Sequence, residues 1–427
     1  MYFKPAHIIF PMGKKCRLRL APQGPVVVFG NSDYTLRMQP FSGFRRYSAL
    51  KKGKAYDEKF IEAISGEIPL NADNGELTAD VFFPQEDRWL CDICYKGEKL
   101  ERFEVYSLED DLFPLTPYKG DNHMHSFMSD GKESPEYMAA ACCRRGYDYC
   151  VPTDHHTMEA SLHAKKAIDV LGVDLLILTG EEIHSPGNHV HIINLGGTAS
   201  AKDWYRNDPE GYEASVRNEL AKINVPMSDK DKWAAAASQA IFEKIHEYGG
   251  VAILCHPHWI LNGTLQESED ITDYLVDHRR FDVLELIAGG AFEEGTQMQI
   301  SYYQELDKMP IVGSSDTHQQ FGGRLEPGNF TVVFAESLSF DSIRESIRMG
   351  RSTAGNGNKF YGDYRLLKYT YFLNANYFPE HDQRCATLGS RLLRYTSSGS
   401  DPESRFAQEA KEAPSPSALF ESLRYHD

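Results

Sequence analysis

From Asp121 to about Ala354 one rhythm governs the chain: a short apolar run, a polar break carrying histidine or a carboxylate, then a stretch of helix length. The apolar runs are Tyr147–Val151, Asp174–Thr179, His189–Leu195, Gly250–Leu254, Asp282–Ile287, Pro310–Gly313 and Phe330–Ala335. Strand-length runs alternating with helical patterns predict βα units and parallel strands. Ser134 before Pro135 marks a helix start and Gly146 a stop. Glu159–Leu171 and Trp233–Tyr248 have helix length and run up to a glycine, and Phe340, Ile343 and Ile347 recur at helical spacing before Gly350. A closed α/β barrel is favoured over an open sheet. It lets polar residues at the ends of many successive strands converge, as they do at the C-terminal rim of such barrels.

The flanks read differently. Before about Tyr118 the chain is β-rich. Cys16–Leu20 alternates, Pro25–Phe29 is a β-branched run closed by Gly30-Asn31, and Asn74-Gly75 signals a turn. A small sandwich or barrel-like module fits residues 1–117, with the acidic, Pro-containing Glu109–Pro117 as linker. The barrel domain is expected over 118–363. Its polar insertion 198–232, with Trp204, Tyr205, Arg206, Tyr212 and Arg217, is either a lid or a surface excursion. Residues 364–427 are expected as a partly flexible C-terminal extension, Tyr- and Leu-rich after Tyr364, with Ser397–Pro402 as a linker and Glu403–His426 as a loosely tethered helical tail.

Composition narrows the partners. Of 427 residues, 45 are Lys or Arg and 62 are Asp or Glu, a formal charge of −17. That balance argues against duplex nucleic acid or an anionic membrane as partner, but not against a small phosphorylated substrate, because bound cations invert local charge. Eight scattered cysteines suggest a reduced, cytoplasmic protein. Cys91-x-x-Cys94 would be half a zinc site or a redox pair, yet no second pair follows and Arg88–Tyr95 reads as a strand. No run is long enough to span a bilayer.

Thirteen of the 16 histidines fall between His123 and His318. Buried imidazoles need partners, so core packing explains such a concentration poorly. His123 and His125 alternate on a strand and can aim at one point, with Asp130 following in Ser129-Asp130-Gly131. His155 ends the next strand beside Asp154, which would orient an imidazole, and His156, which would pack or face substrate. Glu181 ends a strand and would bridge two cations, with Glu182 pointing away by alternation and His184 on a surface loop. In His189-Val190-His191 the second histidine is favoured as ligand and the first left open. His256, before Pro257, should face the cleft, and His258 would contact substrate or nothing. Asp316 and His318 alternate late in the series and could close the site. Imidazole with carboxylate suits Zn, Mn or Fe.

These motifs together resemble the PHP (polymerase and histidinol phosphatase) family over about Asp121–Ala354. The resemblance implies a distorted seven-stranded (β/α) barrel, TIM-like, with up to three divalent metals. Carried over by position, His123, His125, Glu181 and Asp316 would hold the first, and Glu181, His191 and His256 the second. Asp130, His155 and His318 would hold the third. The implied activity is a metal-dependent phosphoesterase acting on a phosphomonoester, with water activated between two metals and the third offsetting charge on the phosphoryl oxygens. Family members include polymerase proofreading domains, but the chain is short for a polymerase and too acidic to favour a processive exonuclease. His258 or His156 would protonate the leaving group, and Arg324 would clamp phosphate or lie on the surface. An amidohydrolase-like barrel also begins with H-x-H, but it would leave Asp130, His155 and His318 idle. A metal-binding scaffold without turnover is the third reading.

Overall fold

Two sheets carry the ligand-bearing half of the chain. The computed structural model describes residues 2–23, 33–45, 61, 64–289, 294–306, 308–319 and 328–426. These separate into two compact units: Met1–Leu115 with Tyr371–Tyr377 and Ala418–Asp427, and Thr116–Thr370 with Phe378–Ser417.

In the first unit, strands Phe3–Pro5, Lys15–Pro22, Glu76–Phe82 and Asn71–Asp73 form one sheet. Strands Ile9–Pro11, Glu98–Leu108, Asp87–Tyr95, Tyr34–Pro40 and Glu67–Pro69 form another. Lys15–Pro22 alternates exposed and buried residues, as a half-buried strand must. Its Leu18 and Leu20 share a core with Leu36, Trp89, Ile93 and Val105 of the other sheet, which is sandwich packing. Cys91 lies in that core, so the C-x-x-C pair is strand interior.

The second unit is mixed α/β. Strand Thr116–Met124, buried throughout, is the spine of a six-stranded sheet. It pairs in parallel with Tyr149–Pro152 and antiparallel with Asn329–Ala335. A five-stranded sheet runs Gly180–Ile183, Ile192–Leu195, Val251–Leu254, Val283–Ile287, Ile311–Gly313. Tyr149, Val151, Ile193, Ile253, Val283 and Val333 pack together between the sheets. Ile192, Leu254, Leu284 and Leu286 face the other way, against Ile241, Phe242 and Ile245 of helix Asp229–Glu247.

Two expectations are corrected here. Among the described residues the ladders do not close into a seven-stranded barrel; the sheets join through single bridges, Met124 to Thr317 and His155 to Glu182. Nor are the strands all parallel, since Ile192–Leu195 is antiparallel to both of its neighbours. The reason is connection length. The segment 184–191 is too short for a crossover, so the chain must turn back as a hairpin.

The insertion forms helices Ala201–Asn207 and Pro209–Leu220. The C-terminal residues are not a loose tail. Helix Phe378–Ser397 buries Cys385, Leu388 and Leu392, and Leu419 and Phe420 are buried in the first unit. In the second unit Gly389 lies against helix Pro135–Arg144 so closely that a β-carbon there would sit 2.1 Å from the Arg144 nitrogen. Among the described residues no helix is long and apolar enough to cross a membrane.

Candidate metal centre

His123 leaves the end of the buried strand Thr116–Met124, and the backbone runs on to His125 between two hydrogen bonds. The Asp316 N–H donates to the His123 carbonyl, and the His125 N–H donates to the Thr317 carbonyl, both at 2.9 Å. This pairing sets the two histidines opposite Asp316. The next turn folds back tightly: Gly131 N–H donates to the Ser126 carbonyl at 2.8 Å. A β-carbon at Gly131 would lie 2.2 Å from the His125 carbonyl oxygen, so glycine permits the turn that returns Asp130 to the histidines.

Four lone-pair atoms converge at the centre. His123 Nε2 and His125 Nε2 are 3.1 Å apart. Asp316 Oδ1 is 3.3 Å from the first and 3.2 Å from the second. Glu182 Oε2 is 3.2 Å from both, and 3.1 Å from His155 Nδ1. Glu182 Oε2 is fully buried yet has no hydrogen-bond partner among the described residues, and neither has His155 Nδ1. Buried polar atoms rarely go unpaired, and a shared cation satisfies all of them at once.

Two further groups adjoin. Glu182 Oε1 lies 2.7 Å from His191 Nδ1 and 3.3 Å from His256 Nε2. Asp130 Oδ2 lies 3.2 Å from His318 Nε2 and 3.6 Å from His155 Nε2. His125, Asp130, His155 and His318 are close enough to share one ion, as are His123, Glu182 and His256, and His123, His125 and Asp316. The donor set is therefore one that fits divalent transition metals. His156, His256 and Asp316 all have positive φ, 56°, 22° and 49°, which costs non-glycine residues strain and is concentrated here.

Electrostatics bind the cluster together. Burial opposes a proton on His123, but the carboxylates of Glu182, Asp316 and Glu285 outweigh it and hold its pKa well above the usual imidazole value. His125 is likewise raised, to about 9, as Asp316 and Glu182 overcome its burial. Burial pushes the Glu182 carboxyl up, yet His123 and His191 hold it well below the ordinary range. The site thus binds positive charge, whether protons or a metal.

Sequence expectation and structure differ at several positions. Glu181 does not enter the cluster. It accepts from Ser200 Oγ at 2.6 Å, Asn194 Nδ2 at 3.1 Å and the Ala201 N–H at 2.8 Å. Its neighbour Glu182 takes the bridging position. Alternation decides this: Ile183 packs outward against the helices, so Glu181 faces outward with it. Asp154 holds no imidazole; its Oδ1 accepts from Ser126 Oγ at 2.8 Å and Ser129 Oγ at 2.9 Å and fixes the loop. His191 faces Glu182 whereas His189 is exposed. His184 is in a loop but half-buried, joined to the cluster's edge: its Nε2 lies 3.0 Å from His156 Nε2 and its ring stacks on His191 at 5.2 Å. His258 is buried and lines a cleft beside the cluster. Arg324 lies outside the described residues.

Sequence reasoning missed Glu285. Its Oε1 lies 3.0 Å from His123 Nδ1 and its Oε2 accepts the His256 N–H at 3.1 Å, so one carboxylate orients two members of the cluster. The signal was a lone charge inside the apolar strand Val283–Ile287.

No protein-family model matches the chain. It is 31% identical over 170 residues to the DNA polymerase/3'-5' exonuclease PolX of Bacillus subtilis (strain 168), covering 36% of this chain and only 27% of that protein. The chain resembles the PHP family. Among solved structures it is similar to a two-domain protein of Bacteroides vulgatus containing a predicted PHP-like metal-dependent phosphoesterase, with 21% identity, a TM-score of 0.44 and coverage of 62% of this chain and 71% of that one. It is also similar to a proposed metal-dependent phosphoesterase of Bifidobacterium adolescentis, with 18% identity, a TM-score of 0.35 and coverage of 54% and 96%.

Proposed function

We propose that this chain is a metal-dependent hydrolase of the PHP type, acting on a small phosphomonoester. One observation carries the reading: Glu182 Oε2, buried and without a hydrogen bond, sits 3.1–3.2 Å from three imidazole nitrogens beside Asp316. His123, His125, Glu182 and Asp316 would hold one metal, Glu182, His191 and His256 a second, and Asp130, His155 and His318 a third, with Zn, Mn or Fe suited to these donors. Divalent metals there supply Lewis acidity and lower the pKa of water to near neutrality.

The chain's own residues do the rest. Glu285 fixes the His123 ring, so its Nε2 stays aimed inward. Ser126 and Ser129, tied to Asp154, keep the Asp130 loop over the cluster. His156, joined to His184 and 3.3 Å from the Tyr205 hydroxyl, and His258 in the adjoining cleft are candidates to donate a proton to the leaving oxygen. The gathering of Asp130, His155 and His318 favours this reading over an amidohydrolase-like one, which gives those three no work. A reducing, cytoplasmic setting belongs to the same proposal, in keeping with eight buried cysteines.

Hydrolysis of p-nitrophenyl phosphate with added Mn or Zn is the test. Turnover that disappears in His123→Ala and Asp316→Ala is the expected result. Metal binding without turnover of any phosphoester would favour a scaffold, and absence of both would reject the site.

A further inference from the structure

We propose that the cleft beside the cluster receives a planar ring, carried by the organic part of the ester and stacked on Trp259; this rests on the phosphoesterase reading above. The cleft encloses about 430 Å³ and shares His256, Asp316 and His318 with the cluster. A phosphoryl group held at the cluster therefore has its ester substituent directed along a ready-made path. Trp259 forms one wall and remains 38% exposed, unusual for a residue pressed against the centre of a folded unit. Its ring centroid is 5.5 Å from that of His191 and 5.8 Å from that of His256, so the indole leans on two cluster imidazoles.

The platform is rigid. The Trp259 N–H donates to the His256 carbonyl at 2.8 Å, and its carbonyl accepts the Gln266 N–H at 3.0 Å. Opposite, the first turn of helix Glu294–Glu305 touches this segment. A β-carbon at Gly295 would lie 2.1 Å from the His258 carbonyl oxygen, which fixes the width of the cleft. Ile260, Glu294, Thr296 and Gln299 also line the cleft. Among the described lining residues there is no lysine or arginine. A flat, neutral or cationic ring suits a cleft that holds an indole face and the carboxylate of Glu294.

The test uses phosphonates, whose C–P bond resists hydrolysis, so that binding is read without turnover. Manganese-loaded protein is titrated calorimetrically with benzylphosphonate and with cyclohexylmethylphosphonate, which differ in planarity. Benzylphosphonate should bind about tenfold tighter, the size of one ring-on-aromatic stack. The gap should close in Trp259→Leu and persist in Trp259→Phe, with manganese content equal to wild type in both. Equal affinity in the wild-type protein, or a gap that survives Trp259→Leu, overturns the stacking while leaving the phosphoesterase reading intact. No binding of either phosphonate to metal-loaded protein instead overturns that reading and the inference with it. A second comparison identifies the ring's source. If adenosine 5'-monophosphate exceeds ribose 5-phosphate in kcat/KM, and Trp259→Leu removes the difference, the ring is a nucleobase; equal values rule a nucleobase out.

Discussion

Glu181 and Glu182 are chemically identical neighbours with opposite surroundings. Glu182→Gln should cut bound metal to well below one equivalent and abolish phosphoester turnover, as metal analysis and assay would read. Glu181→Gln should keep its metal and lose about 1 kcal/mol of stability, because it only weakens hydrogen bonds to Ser200, Asn194 and Ala201. Equal metal loss in both variants would refute the assignment. Glu285→Gln should lower metal affinity about 10–100-fold, measured by chelator competition, because Glu285 orients His123 without belonging to the central four atoms. His123 and His125 are legible because alternation along one extended segment sends both the same way, whereas Asp316, at positive φ beyond its strand, is aimed by the fold. The glutamates were misread because both faces of Gly180–Ile183 are buried, so hydrophobicity does not say which side is inward. Packing of Ile183 against the helices says so, and only the folded chain shows it.

Helix Phe378–Ser397 illustrates the element scale. Its buried side, Cys385, Leu388 and Leu392, has helical spacing, but the polar residues and glycine between them leave no continuous apolar run to mark it as a packed helix. The glycine is what allows the contact. Gly389→Ala should destabilise the protein by about 1–3 kcal/mol in urea unfolding, since the new methyl meets the backbone of Arg144. The same helix carries His381, fully buried, with Nε2 2.8 Å from Asp148 Oδ1 and Nδ1 3.0 Å from Asp382 Oδ1. Burial disfavours its charge, but Asp148 and Asp382 hold its pKa well above the ordinary 6.5. The folded state then keeps a proton that the unfolded chain releases above about 6.5. This contribution is complete below that pH and is lost as pH rises through the folded pKa. Urea midpoints should fall from neutral toward alkaline pH, and His381→Gln should flatten that slope while lowering the neutral midpoint by about 3 kcal/mol equivalent. An unchanged slope would show that the imidazole is neutral in the folded protein.

At the scale of the molecule, the cluster is a concentration of like-disposed acceptors that the fold holds together at a cost. Removing metal with a chelator should lower the melting temperature by several degrees, and returning Mn or Zn should restore it. Ligand at a hundredfold its dissociation constant contributes about 2.7 kcal/mol. Retention should weaken as the pH falls, because imidazoles and carboxylates must shed protons to bind a cation. A melting temperature indifferent to chelator would mean that the cluster holds no tightly bound ion. The rhythm of strands and helices was readable along the chain, as was the β-rich leading segment. Closure of the sheets was not, because it depends on pairing between strand edges distant in sequence.

The reversed strand Ile192–Leu195 changes how the cage is assembled. Because Gly180–Ile183 and Ile192–Leu195 pair as a local hairpin, Glu182 and His191 are brought together by a short piece of chain. His123 must instead wait for Asp316 to arrive from the far end of the domain. Two of the nine candidate ligands thus come from one short piece of chain, while the others are gathered from across the domain.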